Sequence, residues 1–377
     1  MPRPHPSHDL TLRLDAMTYG GAALGRADGK AIFVTGGLPG EVVRVTVEED
    51  RARFARARLV EVIEPAPERV TPRCPHFGWA STSCGGCHWQ HIDYAAQLRF
   101  KTAIVREQLQ RLGQIPDPPV RDIIPSPALW QYRNHAQFHV TPDGRLGFLA
   151  ARSHRVTPID QCLIIEPVLQ EWLQAQQQVD HTGEQRLSVR ASNLPRLISN
   201  VAFQVSPESF FQVNTALIDT LVDQVLAKLE LSPTDTILDA YCGVGLFSRF
   251  IAPQVAHVIG VEASASAQAD FAINLAGFAN VEFHLGRVEQ LLPTIAAHLD
   301  AALFDPPRAG CGPQVIEAVI ARHIDRVVVV SCDPATLARD LRQLLDRHYT
   351  LIEVQPIDLF PHTYHIETIA VLQRAKE

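Results

Sequence analysis

Thr236-Ile-Leu-Asp-Ala-Tyr-Cys-Gly-Val-Gly245 decides how this chain is read. An apolar run of strand length breaks at a glycine turn, and a helical pattern follows. Gly243 and Gly245 let the backbone approach a ligand closely. The turn reads G-x-G-x-x-S, so Ser248 stands where a dinucleotide fingerprint has its third glycine. About 20 residues on, Val258-Ile-Gly-Val-Glu262 is a second strand ending in a carboxylate. An acid there accepts hydrogen bonds from ribose hydroxyls. This order of elements fits an NAD site or an S-adenosylmethionine site. The acidic pocket and the absent third glycine favour the latter.

Downstream, Ala301-Ala-Leu-Phe-Asp-Pro-Pro-Arg308 is a third strand, and its prolines stop it and hold Asp305 at the carboxyl edge of the sheet. D-P-P is shared with enzymes that methylate amino nitrogens, so the atom methylated stays open here. Arg326-Val-Val-Val-Val-Ser-Cys-Asp-Pro334 is a buried parallel strand with Cys332 at its end, before a helix from about residue 335. A helix N-terminus there favours the thiolate, and a nucleophile outweighs the alternative of a small buried hydrophobe. In the last strand, His365-Ile-Glu-Thr-Ile-Ala-Val-Leu372, Glu367 is either a general base or a paired or exposed acid. Strands and helices alternating from residue 216 onward indicate a doubly wound α/β domain.

Upstream, residues 9–64 read as four or five short strands around glycine turns, a small barrel. Arg51-Ala-Arg-Phe-Ala-Arg-Ala-Arg58 is either an RNA-binding stripe with Phe54 as a stacking ring or a solvated strand edge. Asp93–Gln114 has helical spacing and stops at Gly113. Residues 120–205 look like mixed strands, two of them flanking a Pro-Asp-Gly turn. Three cysteines cluster as C-x9-C-x2-C, namely Cys74, Cys84 and Cys87, with Cys162 downstream. Four thiolates suit an iron–sulfur cluster or structural zinc, and His76, His88 or His91 could replace Cys162 in a zinc site. The spacing differs from C-x3-C-x2-C, which argues against radical chemistry.

The chain has 377 residues, enough for two or three domains, with 46% hydrophobic and 20% charged residues. Net charge is −7. Residues 1–180 carry +1 and residues 181–377 carry −8, so the first half is the better candidate to meet RNA. No apolar run is long enough to cross a bilayer, and Met1-Pro-Arg-Pro-His-Pro-Ser-His8 lacks the apolar stretch of an export signal. A cytoplasmic monomer without a disulfide framework is expected.

Taken together, Cys74/Cys84/Cys87, Tyr132-Arg-Asn-His135, Asp160-Gln-Cys162, Phe210-Phe-Gln-Val-Asn214, Asp239-Ala-Tyr-Cys-Gly-Val-Gly245, Asp305-Pro-Pro-Arg308, Ser331-Cys-Asp-Pro334 and His365-Ile-Glu367 resemble the RNA uridine-C5 methyltransferase family over nearly the whole chain. The resemblance implies a Rossmann-like S-adenosylmethionine methyltransferase domain over 206–377. Before it come an OB-like TRAM barrel over 1–66 and a mixed α+β domain over 67–205 that holds a cluster. It implies that Gln212, Tyr241, Glu262 and Asp305 bind S-adenosylmethionine, that Cys332 is the nucleophile and that Glu367 is the base. It also implies that Cys74, Cys84, Cys87 and Cys162 ligate a [4Fe-4S] cluster. Two departures stand out: Phe77–Ser83 looks like an insertion, and His135 stands where a lysine is common. RNA is the implied partner, ribosomal before transfer. The rivals are an amino-nitrogen methyltransferase, a non-catalytic RNA-binding protein and, more distantly, an NAD-dependent oxidoreductase.

Overall fold

The computed structural model describes residues 9–151, 153–191, 196–198 and 201–375; the opening stretch quoted above, residues 1–8, lies outside them. The chain forms two compact units. One comprises Met1–Ile104, Ala136–Ser188 and Phe360–His365, and the other Val105–His135, Val189–Leu359 and Ile366–Glu377.

Five strands open the first unit: β1 (Asp9–Met17), β2 (Ala23–Ala27), β3 (Lys30–Thr35), β4 (Val42–Asp50) and β5 (Phe54–Glu64). They close a barrel in the order β1-β2-β3-β5-β4, with β3 and β5 parallel. Alternation places Leu12, Leu14, Ile32, Val34, Val43, Val45, Ala55 and Ala57 in its core. Strand β2 carries Gly25 because any side chain there would strike the Arg13 carbonyl, 2.6 Å from its Cβ. The arginine stripe lies on β5 and the turn before it, and β5 is paired on both sides rather than at an edge. Arg51 bonds Glu49 at 2.8 Å, and Arg58 bonds Glu48 at 3.1 Å. Arg56 lies 5.7 Å from the Phe54 ring centre and 3.4 Å from Glu49. These pairs are exposed, where each contributes at most about 1 kcal/mol, so the guanidinium groups can exchange partners.

Helix α1 (Tyr94–Arg111) is capped by Asp93, whose carboxylate accepts from the Ala96 N–H at 3.0 Å. It ends three residues before the sequence pattern does, and Gln114 beyond it takes a positive φ. A four-stranded sheet follows, in the order β8-β7-β6-β9, from β6 (His135–Val140), β7 (Leu146–Leu149), β8 (Val156–Pro158) and, after α2 (Pro167–Ala175), β9 (Arg186–Arg190). The Pro142-Asp143-Gly144 turn joins β6 to β7 as expected. Next comes the hairpin of β10 (Arg196–Ile198) and β11 (Val201–Phe203).

From α3 (Ile218–Leu229) the second unit is doubly wound. Its elements are β12 (Thr236–Ala240), α4 (Leu246–Ile251), β13 (His257–Glu262), α5 (Ala265–Asn274), β14 (Val281–Leu285), α6 (Val288–Leu291), β15 (Ala301–Phe304), α7 (Gly312–Ala321), β16 (Arg326–Ser331), α8 (Pro334–Leu345), β17 (Tyr349–Ile357) and β18 (Glu367–Arg374). The sheet order is β14-β13-β12-β15-β16-β18-β17, with β18 antiparallel to both its neighbours. Val327–Val330 of β16 are all buried because both faces of this strand are covered. Strand order reverses between β12 and β15, and α/β ligands bind at the carboxyl ends of strands beside such a reversal. No helix among the described residues is long and apolar enough to cross a membrane.

Candidate active site

The ends of β12 and β15 are tied together by the Asp305 N–H, which donates to the Ala240 carbonyl at 3.3 Å. After β12 the chain turns through Tyr241, Gly243 and Gly245 with φ of 62°, 52° and 85°. Tyr241 is the non-glycine residue held there against its preference. A Cβ on Gly245 would sit 2.5 Å from Leu275 and 2.8 Å from Phe271, so α5 requires a glycine there. Gly245→Ala should therefore lower stability by about 1–3 kcal/mol in urea unfolding. The Gly243 N–H donates to Glu262 Oε2 at 3.1 Å, while Ala263 and Ser264 N–H groups donate to Oε1 at 2.7 and 2.8 Å. Three of the four acceptor sites of this carboxylate are thus filled, and the remaining one is on Oε2. Ser248 does more than replace a glycine. Its hydroxyl donates to Asp239 at 2.6 Å inside the core. Burial raises the Asp239 carboxyl to about 7.

Asp305 follows β15 and accepts from Gln212 Nε2 at 3.5 Å. Its carboxyl is raised, first by burial and then by the charge of Asp239. Gln212 is placed by two motifs that the sequence marked without assigning work to them. Asn134 donates its side-chain amide to the Gln212 carbonyl at 2.9 Å and its backbone N–H to Val213. Asn214 donates to Ser126 and to the Leu359 carbonyl, both at 3.1 Å. Next to this buried frame Phe210 is 70% exposed. His135 is pushed down to about 4 by burial and by the charges of Arg190 and Arg133, so it is neutral at pH 7, unlike the lysine expected there.

Cys332, Glu367, Asp305 and Arg308 form one electrostatic group. Cys332 is half-buried at the end of β16, and Glu367, 3% exposed, opens β18. The Cys332 thiol is raised to about 11, by burial first and then by Glu367. Arg308 acts in the opposite direction, favouring the thiolate. This corrects the expectation of a thiol depressed by the helix dipole. The first N–H groups of α8 are taken by the carboxylate of Asp333, which accepts from Ala335 at 3.0 Å and Thr336 at 2.9 Å. Glu367 is raised well above the usual carboxylate range by burial and by Asp305.

Among the described residues no disulfide joins any of the seven cysteines. In the first unit, Cys84 pairs with Ala150, and Gly85 donates to the Leu149 carbonyl at 2.9 Å. A Cβ at Gly85 would come within 2.7 Å of that backbone. Cys84 is raised to about 11, by burial first, and the charges of Cys162 and Cys74 add to it. Cys87 is raised further by burial, with all three other thiols contributing. Among the described residues, no three His, Cys, Asp or Glu side chains are arranged to hold a metal ion. The candidate histidines are engaged elsewhere: His76 bonds Asp160 at 2.8 Å, and His91 is buried against Phe77 and Trp79. The segment that looks like an insertion rests Trp79 on the barrel at Gly36, where a Cβ would lie 2.8 Å from the indole.

The fold defines the class first. It is similar to the crystal structure of Pyrococcus abyssi tRNA (uracil-54, C5)-methyltransferase in complex with S-adenosyl-L-homocysteine, with a TM-score of 0.73, 23% identity, and coverage of 96% of this chain and 99% of that one. This is a methyltransferase fold behind an OB-like barrel. Sequence relatives then give the family. Residues 184–375 match the tRNA (Uracil-5-)-methyltransferase family, and residues 11–60 match the TRAM domain. An uncharacterized RNA methyltransferase of Halalkalibacterium halodurans is 34% identical over 97% of this chain and 96% of its own. One of Streptomyces coelicolor is 34% identical over 97% and 93%. The chain belongs to the tRNA (Uracil-5-)-methyltransferase family.

Proposed function

We propose that this protein transfers a methyl group from S-adenosylmethionine to C5 of a uridine in RNA, through a bond between Cys332 and C6. The grouping of Cys332, Glu367, Asp305 and Arg308 at adjoining strand ends carries the reading. Uracil C5 is a poor nucleophile until a thiolate adds to C6 and makes the ring an enolate. S-adenosylmethionine, when bound, supplies an electrophilic methyl. Glu262 is assigned to one ribose hydroxyl through its free Oε2 site, and Gln212, Tyr241 and Asp305 complete the cofactor set. The Cys332 thiol loses its proton to solvent as Arg308 stabilises the sulfur anion. Glu367, once it has given up its own proton to solvent, takes the proton from C5. Elimination then returns the Cys332 thiolate, and the net products are 5-methyluridine, S-adenosylhomocysteine and one proton.

Work along the chain is divided accordingly: residues 1–66 and 67–205 hold RNA, and 206–377 perform the transfer. Cys74, Cys84, Cys87 and Cys162 are assigned to a [4Fe-4S] cluster. The donor set is all sulfur, and burial, the main cause that holds the Cys84 and Cys87 thiols against ionising, is what bonding to a cationic iron core would offset.

Ribosomal RNA is the substrate proposed, and transfer RNA, from which the matching family takes its name, is the competitor. The test is nucleoside mass spectrometry on RNA from cells lacking the protein, after incubation with the protein and S-adenosylmethionine. New 5-methyluridine in the ribosomal fraction supports the reading. The same mark in transfer RNA moves the substrate, and a methylated amino nitrogen overturns the chemistry. The raised thiol adds a pH signature: single-turnover rates should climb by up to about tenfold per pH unit from 7 to 9. Arg308→Ala should slow the reaction at pH 7.5 by several-fold, and raising the pH should restore it.

A further inference from the structure

In the first unit, one aromatic group has no place in the chemistry above. Tyr364 is its hub. Its ring centre lies 4.4 Å from His88, 4.4 Å from His365 and 6.1 Å from Tyr19, and His365 also meets Phe360 at 5.9 Å. The planes are tilted or edge-on to one another, from 43° to 88°, and none of these pairs is a parallel stack.

These rings are not a core. All five residues are half-buried, whereas Trp89 beside them is fully buried and donates its indole N–H to the Gly21 carbonyl at 3.2 Å. Tyr364 is nonetheless held firmly. Gly21, with φ of 88°, brings the β1–β2 turn so close that a Cβ would lie 2.8 Å from the Tyr364 ring. The turn itself is closed by Thr18, whose N–H and hydroxyl both donate to the Ala22 carbonyl. In the chain, only Ile366 separates His365 from Glu367, at the start of β18.

We propose that Tyr364, framed by Tyr19, His88, His365 and Phe360, is a stacking platform for a nucleobase of single-stranded RNA. The occupant follows from chemistry. The Lys101 ammonium beneath these rings is fully buried and donates to the Phe360 carbonyl at 3.0 Å, so it is not offered to a phosphate. A half-buried, preorganised aromatic surface of this kind recognises a flat π-face. The family's substrate is RNA, and a base must leave its helix before its C6 can be attacked, which leaves unstacked neighbours to be held. The inference rests on the RNA-modifying reading given above.

The test uses the full-length protein and fluorescence anisotropy with two probes, a uridine 12-mer and an abasic chain of the same length. Wild type should bind the uridine probe more tightly. Tyr364→Ala should weaken that binding on the order of tenfold, leave abasic binding unchanged, and keep the salt dependence parallel, because no phosphate contact is lost. Tyr364→Phe should stay within about twofold, since the ring and not the hydroxyl stacks. The proposal fails if wild type does not distinguish the probes. It also fails if Tyr364→Ala weakens both equally or neither, or if Tyr364→Phe loses as much as Tyr364→Ala. Formation of 5-methyluridine by the wild type tests the parent reading separately, so normal methylation with no effect of Tyr364→Ala on binding sinks the platform alone.

Discussion

Cys332→Ala is expected to lower turnover by more than about 10⁴-fold, because in the mechanism proposed above nucleophile and base act as a unit and the remaining groups cannot activate C5. Binding of S-adenosylmethionine should change little: Glu262, Gln212 and the 241–245 turn are fixed by bonds that do not involve Cys332. Calorimetric titration of the variant reads this directly. RNA carrying 5-fluorouridine isolates the covalent step. Fluorine at C5 cannot leave as a proton, so elimination is blocked after methyl transfer and the protein–RNA bond persists. Wild type should run as a denaturant-stable adduct, and the variant should give none. An adduct that survives loss of Cys332 would place the nucleophile elsewhere. Multiple turnover of ordinary RNA by the variant would favour direct transfer to an amino nitrogen, which needs no thiol.

How much of this site was legible depends on whether local pattern or distant contact sets each part. The barrel strands announce themselves by period two, because one face of each is buried. Strand β2 is harder to see, since Gly25 is dictated by the Arg13 carbonyl on the neighbouring strand β1 rather than by its own segment. In the second unit, strand ends deliver Glu262, Asp305 and Cys332 to the same sheet edge, and that follows from continuous apolar runs stopped by polar residues. The insertion of β18 between β16 and β17 does not follow, because an antiparallel return leaves no mark on a buried run.

Electrostatics were the least legible. Cys332 precedes a helix, which on sequence alone favours the thiolate. Whether the helix N–H groups remain available depends on the rotamer of Asp333, which turns back and caps them. Ser248 likewise reads as a missing glycine until its hydroxyl is seen on buried Asp239. Asn134 and Asn214 are 80 residues apart, and only folding shows that they frame Gln212 from both sides. A cluster of side chains that bind through one another is invisible to spacing rules.

Glu367→Gln should separate the two halves of the reaction. Glutamine has nearly the shape of glutamate but cannot take the C5 proton. Addition of Cys332 and methyl transfer should proceed once, giving a stoichiometric burst of S-adenosylhomocysteine, and turnover should then fall by about 10²–10⁴-fold. The methylated adduct should accumulate on ordinary RNA, visible as a denaturant-stable band without fluorouridine. Near-normal turnover would remove Glu367 from the mechanism. The same variant tests the site's electrostatics through stability. Burial and Asp305 hold the Glu367 carboxyl well above its ordinary 4.5. A raised carboxyl means that the folded state grips its proton, so this stabilisation is complete below 4.5 and is lost as pH rises toward the folded value. Glutamine cannot ionise and escapes that loss. The unfolding free energy of Glu367→Gln should therefore match wild type near about pH 4 and exceed it increasingly as pH rises. A difference that stays flat from pH 4 to 8 would mean that Glu367 is not buried beside Asp305 in solution, and the proton it is assigned in catalysis would then have to go elsewhere.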